Sequence, residues 1–250
     1  MKESISVIIP AYNEETRILP TLLRLSDYLN EHFAEFEIIV VDDGSSDRTA
    51  DITDQLSREN RNINLVSYMP NKGKGHAIKR GVFSSKHSLL LTCDADMSTP
   101  IEEIEKLIPY IQNNYEIAIG SRALQGSDIV IRQPWYREGM GKTFNLFVRA
   151  LVMGGISDTQ CGFKLFKGEI ARDLFAKSLI RGFSFDVEIL FLARKSGYKI
   201  KEVPVKWLNS PNSKVRLITD PIRMLLELLK IRINWMTGKY NDYPVISDNS

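Results

Sequence analysis

The sequence predicts an α/β protein built on a mostly parallel sheet with helices on both faces, followed by an amphipathic helical extension. Short apolar runs rich in Val and Ile alternate with longer stretches of helical period, which is the pattern of a parallel sheet with crossover helices. The runs are nearly continuous rather than alternating, as required when helices cover both sides of each strand. No internal repeat or low-complexity linker interrupts the 250 residues, so one domain with a C-terminal extension is expected rather than two independent domains.

Strands are expected at Ile5 to Ile9, Glu37 to Val41, Asn64 to Ser67, Ser88 to Thr92 and Glu116 to Ile119. Helices are expected between them over 15–31, 47–59, 74–85 and 101–113. Ser46 or Asp47 can cap the second helix, and Thr99-Pro100 supplies a cap and a first-turn proline for the fourth. After Gly120 the pattern is less regular: a polar, Arg-containing loop runs to Arg137, and an apolar helical stretch spans Lys142 to Met153. A second polar loop, Asp158 to Lys164, precedes helices over 167–177 and from Phe183 to Ser196, then a strand over Lys199 to Val205.

A chain that is 43% hydrophobic and 26% charged can bury a large core, and its formal charge of +2 is too small for the basic face that nucleic-acid binding needs. Two cysteines, Cys93 and Cys161, form no C-x-x-C pair and no disulfide framework, so a reducing, cytoplasmic setting is expected. The N-terminus lacks the order of regions of a signal peptide, and no stretch supplies the roughly 20 uninterrupted apolar residues that span a bilayer.

In an open parallel sheet, ligands bind outside the carboxyl ends of the strands, so the segments after the strands carry the functional reading. Four are polar or small: Pro10-Ala11-Tyr12-Asn13-Glu14, Asp42-Asp43-Gly44-Ser45-Ser46, Asn71-Lys72-Gly73-Lys74-Gly75 and Asp94-Ala95-Asp96. Asp94 and Asp96 can share a hard divalent cation such as Mg²⁺ or Mn²⁺, which keeps water and substrate phosphates in its shell; equally, they can be solvated acids ahead of a helix. Acids at 42–47 can accept hydrogen bonds from a base or ribose, or simply form an Asx-type turn and a helix cap. The segment 71–75 can offer backbone N–H groups and the Lys74 charge to a diphosphate. It is neither the dinucleotide fingerprint nor a P-loop.

In order and spacing these four motifs, beginning at Ser6-Val7-Ile8-Ile9, resemble the inverting family 2 glycosyltransferases of the GT-A fold, whose sheet is Rossmann-like. Gly120-Ser121-Arg122, Asp158 to Phe166, Phe185-Asp186-Val187-Glu188 and Glu202-Val203-Pro204-Val205 resemble the dolichyl-phosphate β-glucosyltransferases, and the likeness runs from about residue 4 to about 230. The resemblance implies transfer of glucose from UDP-glucose to a polyprenyl or dolichyl phosphate. It divides the chain into a transferase domain over 1–213, with a nucleotide-binding half (1–120) and an acceptor half (121–213), and a membrane-associating extension over 214–250. Pro10, Ala11, Tyr12, Glu14, Asp42, Asp43, Gly73 and Lys74 would hold the nucleotide, and Asp94 with Asp96 the metal diphosphate. Arg122 and Arg137 fall where related polyprenyl-phosphate mannosyltransferases bind the acceptor phosphate. Those enzymes place a metal-binding Gln where this chain has Ser98, which leaves the third protein ligand open.

Between Lys214 and Lys239, six basic residues face two acids. On a helical wheel from Pro221 to Met236, Arg223, Glu227, Lys230 and Asn234 make one polar stripe, and most of the remaining arc is apolar. That arc can face the core on one side and a bilayer on the other, with Arg232 and Lys239 reaching lipid phosphates beside Trp235 and Tyr240, or it can be buried or form an oligomer contact. Peripheral attachment to the cytosolic face of a membrane is the expectation. Two rivals keep the fold: a sugar nucleotidyltransferase, which would normally show a Gly-rich basic loop after the first strand, and a catalytically silent binding module.

Overall fold

The computed structural model describes residues 3–131, 134–209 and 219–241, with only the backbone described at 135–137. The first half runs β1 (Ser4–Ala11), α1 (Ile18–His32), β2 (Glu35–Asp42), α2 (Thr49–Glu59), β3 (Ile63–Ser67), α3 (Lys74–Ser84), β4 (Leu89–Thr92), α4 (Ile104–Gln112) and β5 (Ile117–Ser121). The second half adds β6 (Asp128–Ile131), α5 (Trp135–Leu151), β7 (Lys164–Lys167), α6 (Gly168–Lys177), α7 (Phe185–Lys195), β8 (Ile200–Pro204), β9 (Lys206–Leu208) and α8 (Thr219–Met236).

Seven strands form one sheet in the order β3-β2-β1-β4-β7-β5-β8, in which only β7 runs antiparallel to its neighbours. Alternate side chains of the same strands feed two cores. Ile8, Ile39, Val41 and Leu90 pack with α3, α6 and α7 on one face; Val7, Ile9, Val40 and Leu91 pack with α1 and α4 on the other. Each fully buried Val, Leu or Ile contributes roughly 1.5–3 kcal/mol relative to exposure, which is why the strands read as unbroken apolar runs. The crossover α1 covers one face and α3 the other, with β2 and β4 flanking β1. A crevice therefore opens at the carboxyl ends of β1 and β4.

Three features depart from the expected pattern. The segment after the 158–164 loop enters the sheet as β7, pairing Leu90 with Phe166 and Ala118 with Leu165. It escapes detection because it is four residues long, has lysine at both ends and runs straight into α6. A small parallel pair, β6 with β9, occupies part of the expected polar loop. Finally, α5 begins at Trp135, so Arg137 lies in the first turn of a helix rather than in a loop.

Helix α8 buries Met224, Leu228 and Ile231 in the core shared with α5 and α7, and leaves Ile222, Leu226, Leu229, Ile233 and Met236 exposed at alternating spacings of four and three. The two-sided arc is thus present, but its aromatic residues serve the interior. Trp235 meets Phe191 edge-on at 5.4 Å, and buried Tyr240 donates to Glu188 at 2.7 Å, so neither is set out for a lipid interface. No helix among the described residues is long and apolar enough to cross a membrane.

Candidate active site

Beyond β4, Cys93 continues the sheet through its N–H bond to Ile8 O (3.1 Å), and the chain then turns outward. Ala95 is buried and its carbonyl accepts from Thr21 Oγ1 at 2.8 Å, which anchors the turn from below. The acids on either side of it, Asp94 and Asp96, keep side chains 38% and 23% exposed, enough to meet a ligand. Asp94 Oδ1 accepts from Lys74 Nζ at 2.6 Å. Asp96 accepts from the Ser98 amide at 3.0 Å and lies 3.9 Å from Arg17, which itself grips Glu14 through two hydrogen bonds of 2.6 and 2.7 Å. Two carboxylates without a third acidic, His or Cys ligand among the described residues suit a cation that completes its shell with phosphate and water.

Gly162 closes against Asp94: a Cβ there would stand 2.4 Å from Oδ2 and 2.7 Å from the carboxyl carbon. The next residue but one, Lys164, is the first of β7 and turns its ammonium inward to Asp186 at 2.5 Å, with both side chains almost wholly enclosed. Burial pushes the Asp186 carboxyl above its ordinary range, opposed by Lys164 and Lys74. Burial would also raise Asp94, but the charge and hydrogen bond of Lys74, with Lys164 and Arg122 farther off, hold it below the usual carboxylate range. Sequence reading gave no role to Lys164 or Asp186. The available signal was a lysine inside the apolar run Phe163-Lys164-Leu165-Phe166 and an acid beside Phe185.

The loops after β1 and β2 are knitted together. Asn13 N donates to Ser45 Oγ (2.9 Å), Ser46 N donates to Asn13 Oδ1 (2.8 Å), and Glu14 N donates to Thr49 Oγ1 (2.7 Å). Ala11 pairs in register with Asp42, placing Pro10, Ala11 and Tyr12 beside the second loop, where the Tyr12 ring is 40% exposed. Asp42 accepts from Ser67 Oγ at 3.1 Å and closes a turn onto Ser45 N; Asp47 accepts from Thr49 N at 3.0 Å at the start of α2. The turn and cap readings of this segment are therefore real.

Asp43 is spent on the neighbouring loop, taking the Lys72 and Gly73 amides at 2.7 and 2.8 Å. The Gly75 and His76 amides donate to Arg181 O. Gly73, at φ 100°, lies so close to that same carbonyl that a Cβ would come within 2.5 Å. The Gly73 and Gly75 amides, expected to face a diphosphate, are thus engaged inside the protein, and the Lys74 ammonium reaches the crevice at Asp94.

Arg122 follows β5 and makes paired bonds to Asp158, Nε to Oδ2 at 2.7 Å and Nη2 to Oδ1 at 2.8 Å, beneath the Trp207 ring at 5.5 Å. Burial alone would lower the guanidinium, but the Asp158 charge and hydrogen bonds outweigh it and hold it raised. Glu202 in turn fixes the amides of Ser157 and Asp158 at 2.8 and 3.0 Å. Arg122 is thus a partly exposed cation with a fixed orientation, neither a lone loop arginine nor an unconstrained surface pair. The side chain of Arg137 lies outside the described residues.

The sequence matches the model of Glycosyl transferase family 2 over residues 6–175, which begins within β1, ends within α6 and takes in all four strand-end loops. The chain belongs to the family 2 glycosyltransferases. The chain is 38% identical over 246 residues to the dolichyl-phosphate beta-glucosyltransferase of Dictyostelium discoideum, covering 94% of this chain and 75% of that protein. It is 33% identical to the Homo sapiens protein of the same name, covering 95% and 78%. Among solved structures, mannosyl-3-phosphoglycerate synthase from Rubrobacter xylanophilus shares the fold at a TM-score of 0.70 and 17% identity, covering 99% of this chain and 78% of that one. Glucosyl-3-phosphoglycerate synthase from Mycobacterium tuberculosis, in complex with Mn²⁺, UDP and glucosyl-3-phosphoglycerate, does so at 0.65 and 16%, covering 97% and 81%. The GT-A architecture is confirmed, and this protein is a glycosyltransferase rather than a nucleotidyltransferase.

Two variants test how the glycosyltransferase holds its carboxylates. Lys164→Met strands Asp186 in the interior, and breaking a buried pair costs about 3–5 kcal/mol. Because Asp186 already has a raised pKa, the stabilising form is the protonated one: the loss should be largest at neutral pH and shrink as the solution is acidified below the carboxylate range, read by urea unfolding. Gly162→Ala should displace Asp94 and lower turnover by about 100-fold, while unfolding measurements show a loss of no more than ~1–3 kcal/mol.

Proposed function

We propose that this glycosyltransferase moves glucose from UDP-glucose to a polyprenyl phosphate of the dolichyl class, with inversion at the anomeric carbon. The observation that carries the reading is identity of 38% along 94% of the chain to a dolichyl-phosphate beta-glucosyltransferase, joined to a strand-end site with the acids for a metal diphosphate. The exposed ring of Tyr12 offers a face to the base, beside Pro10, Ala11 and the acids Asp42 and Asp43. Glu14 acts at the same edge through its hold on Arg17. Asp94 and Asp96 would hold Mg²⁺ or Mn²⁺, which when bound would supply Lewis-acid neutralisation of the diphosphate. The presence of Mn²⁺ and UDP in a protein of the same fold is in keeping with that assignment.

An acceptor phosphate has a second pKa of about 6 and is already ionised at neutral pH, so no general base is needed. One of its oxygens forms the new bond to the anomeric carbon as the bond to the diphosphate oxygen breaks, and UDP leaves with the electron pair. The work left to the chain is to bring two anions together. Lys74 serves the donor side, and Arg122, held at its correct angle by Asp158, presents its remaining N–H groups to the acceptor, with Arg137 as its companion. The exposed stripe of α8 rests on the cytosolic face of the membrane that carries the acceptor.

Incubation with UDP-glucose, UDP-GlcNAc or GDP-mannose and a short polyprenyl phosphate, read by product mass, should give a hexosyl product from UDP-glucose only. Asp96→Ala or excess chelator should abolish it while the protein stays folded; full activity in chelator would remove the metal from the scheme. Arg122→Lys should raise KM for the polyprenyl phosphate and leave UDP-glucose affinity unchanged, because lysine keeps the charge without the paired geometry. A matching loss of UDP-glucose affinity would reduce Arg122 to a brace for Asp158.

A further inference from the structure

The polar residues of α8 border an open cleft, with Arg223 and Lys230 exposed at its edge. Arg223, Glu227, Lys230 and Asn234 line a cleft of about 450 Å³ from α8, and the 179–181 segment ahead of α7 lines it from the other element, contributing Arg181; Lys239 also borders it. Four cations face a single acid there. That acid is already committed: Glu227 accepts from the Ser184 amide at 3.2 Å and lies 3.7 Å from Arg223. The walls are held in place from behind by fully buried Glu188, which accepts from the amides of Leu179 and Ile180 at 3.0 and 2.9 Å and from the Tyr240 hydroxyl.

Asn234, also in the lining, is only 2% exposed, and its side-chain Nδ2 has the Tyr240 hydroxyl as its one neighbouring acceptor among the described residues, which leaves at least one of its two N–H groups unmet. A buried amide N–H without an acceptor is costly unless a ligand or water satisfies it. Donor-rich walls, a surplus of positive charge and an unmet buried N–H together fit an oxyanion. The apolar stripe Ile222, Leu226, Leu229, Ile233 and Met236 is displaced by one residue along α8 from Arg223, Glu227, Lys230 and Asn234. An oxyanion bound in the cleft therefore has an apolar surface alongside it for an attached acyl chain.

We propose that this cleft binds the phosphate of an anionic phospholipid, with Arg181, Arg223, Lys230 and Lys239 as cations and Asn234 as a neutral donor. The site is separate from the sugar-transfer crevice, though the two share a wall: Arg181 O receives the Gly75 and His76 amides at the start of the helix whose first residue, Lys74, pairs with Asp94. The assignment deepens the peripheral membrane contact proposed above and rests on it.

The test is co-sedimentation of the full chain with phosphatidylcholine vesicles, with and without phosphatidylglycerol. Transfer to a short, water-soluble polyprenyl phosphate and circular dichroism serve as controls for folding. Wild type should bind the anionic vesicles more tightly. Arg181→Ala and Lys230→Ala, on opposite walls, should each weaken that binding by roughly tenfold or more, as for a hydrogen bond to a charged group. Arg232→Ala, on the same helix but outside the cleft, should lose only the roughly fivefold due to general surface attraction. The Arg181→Ala/Lys230→Ala double variant should lose less than the product of the single losses, because both residues serve one phosphate. Equal losses in all three single variants would overturn the cleft while leaving membrane binding intact. No vesicle binding by wild type would overturn both readings. Heat stabilisation of wild type by inorganic phosphate, absent in the cleft variants and unaccompanied by a preference for phosphatidylglycerol, would replace the lipid by a free anion. A raised KM for the soluble polyprenyl phosphate in the cleft variants would transfer the site to the acceptor and likewise overturn the assignment.

Discussion

Asp94, at the end of β4, is held in its ionised form by cations fixed beside and beneath it. Lys74 neutralises Asp94 from the start of α3, and Lys164 with Asp186 forms an enclosed pair where β7 meets α7. Isolated charges in that position would be costly, since the interior disfavours an ionised group that lacks a partner. The same pair ties the antiparallel strand to α7, so a contact behind the crevice also joins two elements of the fold. Gly162 completes the arrangement by omitting a side chain where Asp94 passes.

A second tier of contacts sets what the crevice can do. Asp43 and Arg181 O take the amides of Lys72, Gly73, Gly75 and His76, which fixes the backbone from which the Lys74 side chain reaches Asp94. Asp158 and Glu202 do the equivalent for Arg122 across the crevice. In both places an acid holds a cation or a loop. A preorganised cation loses little orientational freedom when a phosphate arrives, and that favours transfer between two anionic partners.

The C-terminal helix extends the same logic to the surface. Its buried residues Met224, Leu228 and Ile231 hold it on the core, which frees two adjacent faces, one apolar and one basic, for contact outside the chain. The aromatic residues that resembled an interfacial belt are used inside instead: Trp235 covers Phe191, and Tyr240 supplies a proton donor to enclosed Glu188. Helical periodicity locates both free faces, but it cannot tell an aromatic ring turned to lipid from one turned to a neighbouring helix.

Sequence alone determined the parallel half of this protein. Continuous runs such as Val7-Ile8-Ile9 and Ile38-Ile39-Val40-Val41 can be satisfied only by burial on both faces, and a polar segment at the end of such a strand has few uses besides a ligand site. The acids Asp94 and Asp96, the loop at 42–47 and the family resemblance followed from local pattern and spacing. Tertiary structure decided the rest. Strand β7 is too short and too charged to announce itself, and its place between β4 and β5 is set by contacts distant in sequence. The partners Lys164 to Asp186, Arg122 to Asp158 and Lys74 to Asp94 lie 22, 36 and 20 residues apart. No periodicity records such pairings, because the energy of an ion pair depends on distance and burial in the folded chain, not on separation along it.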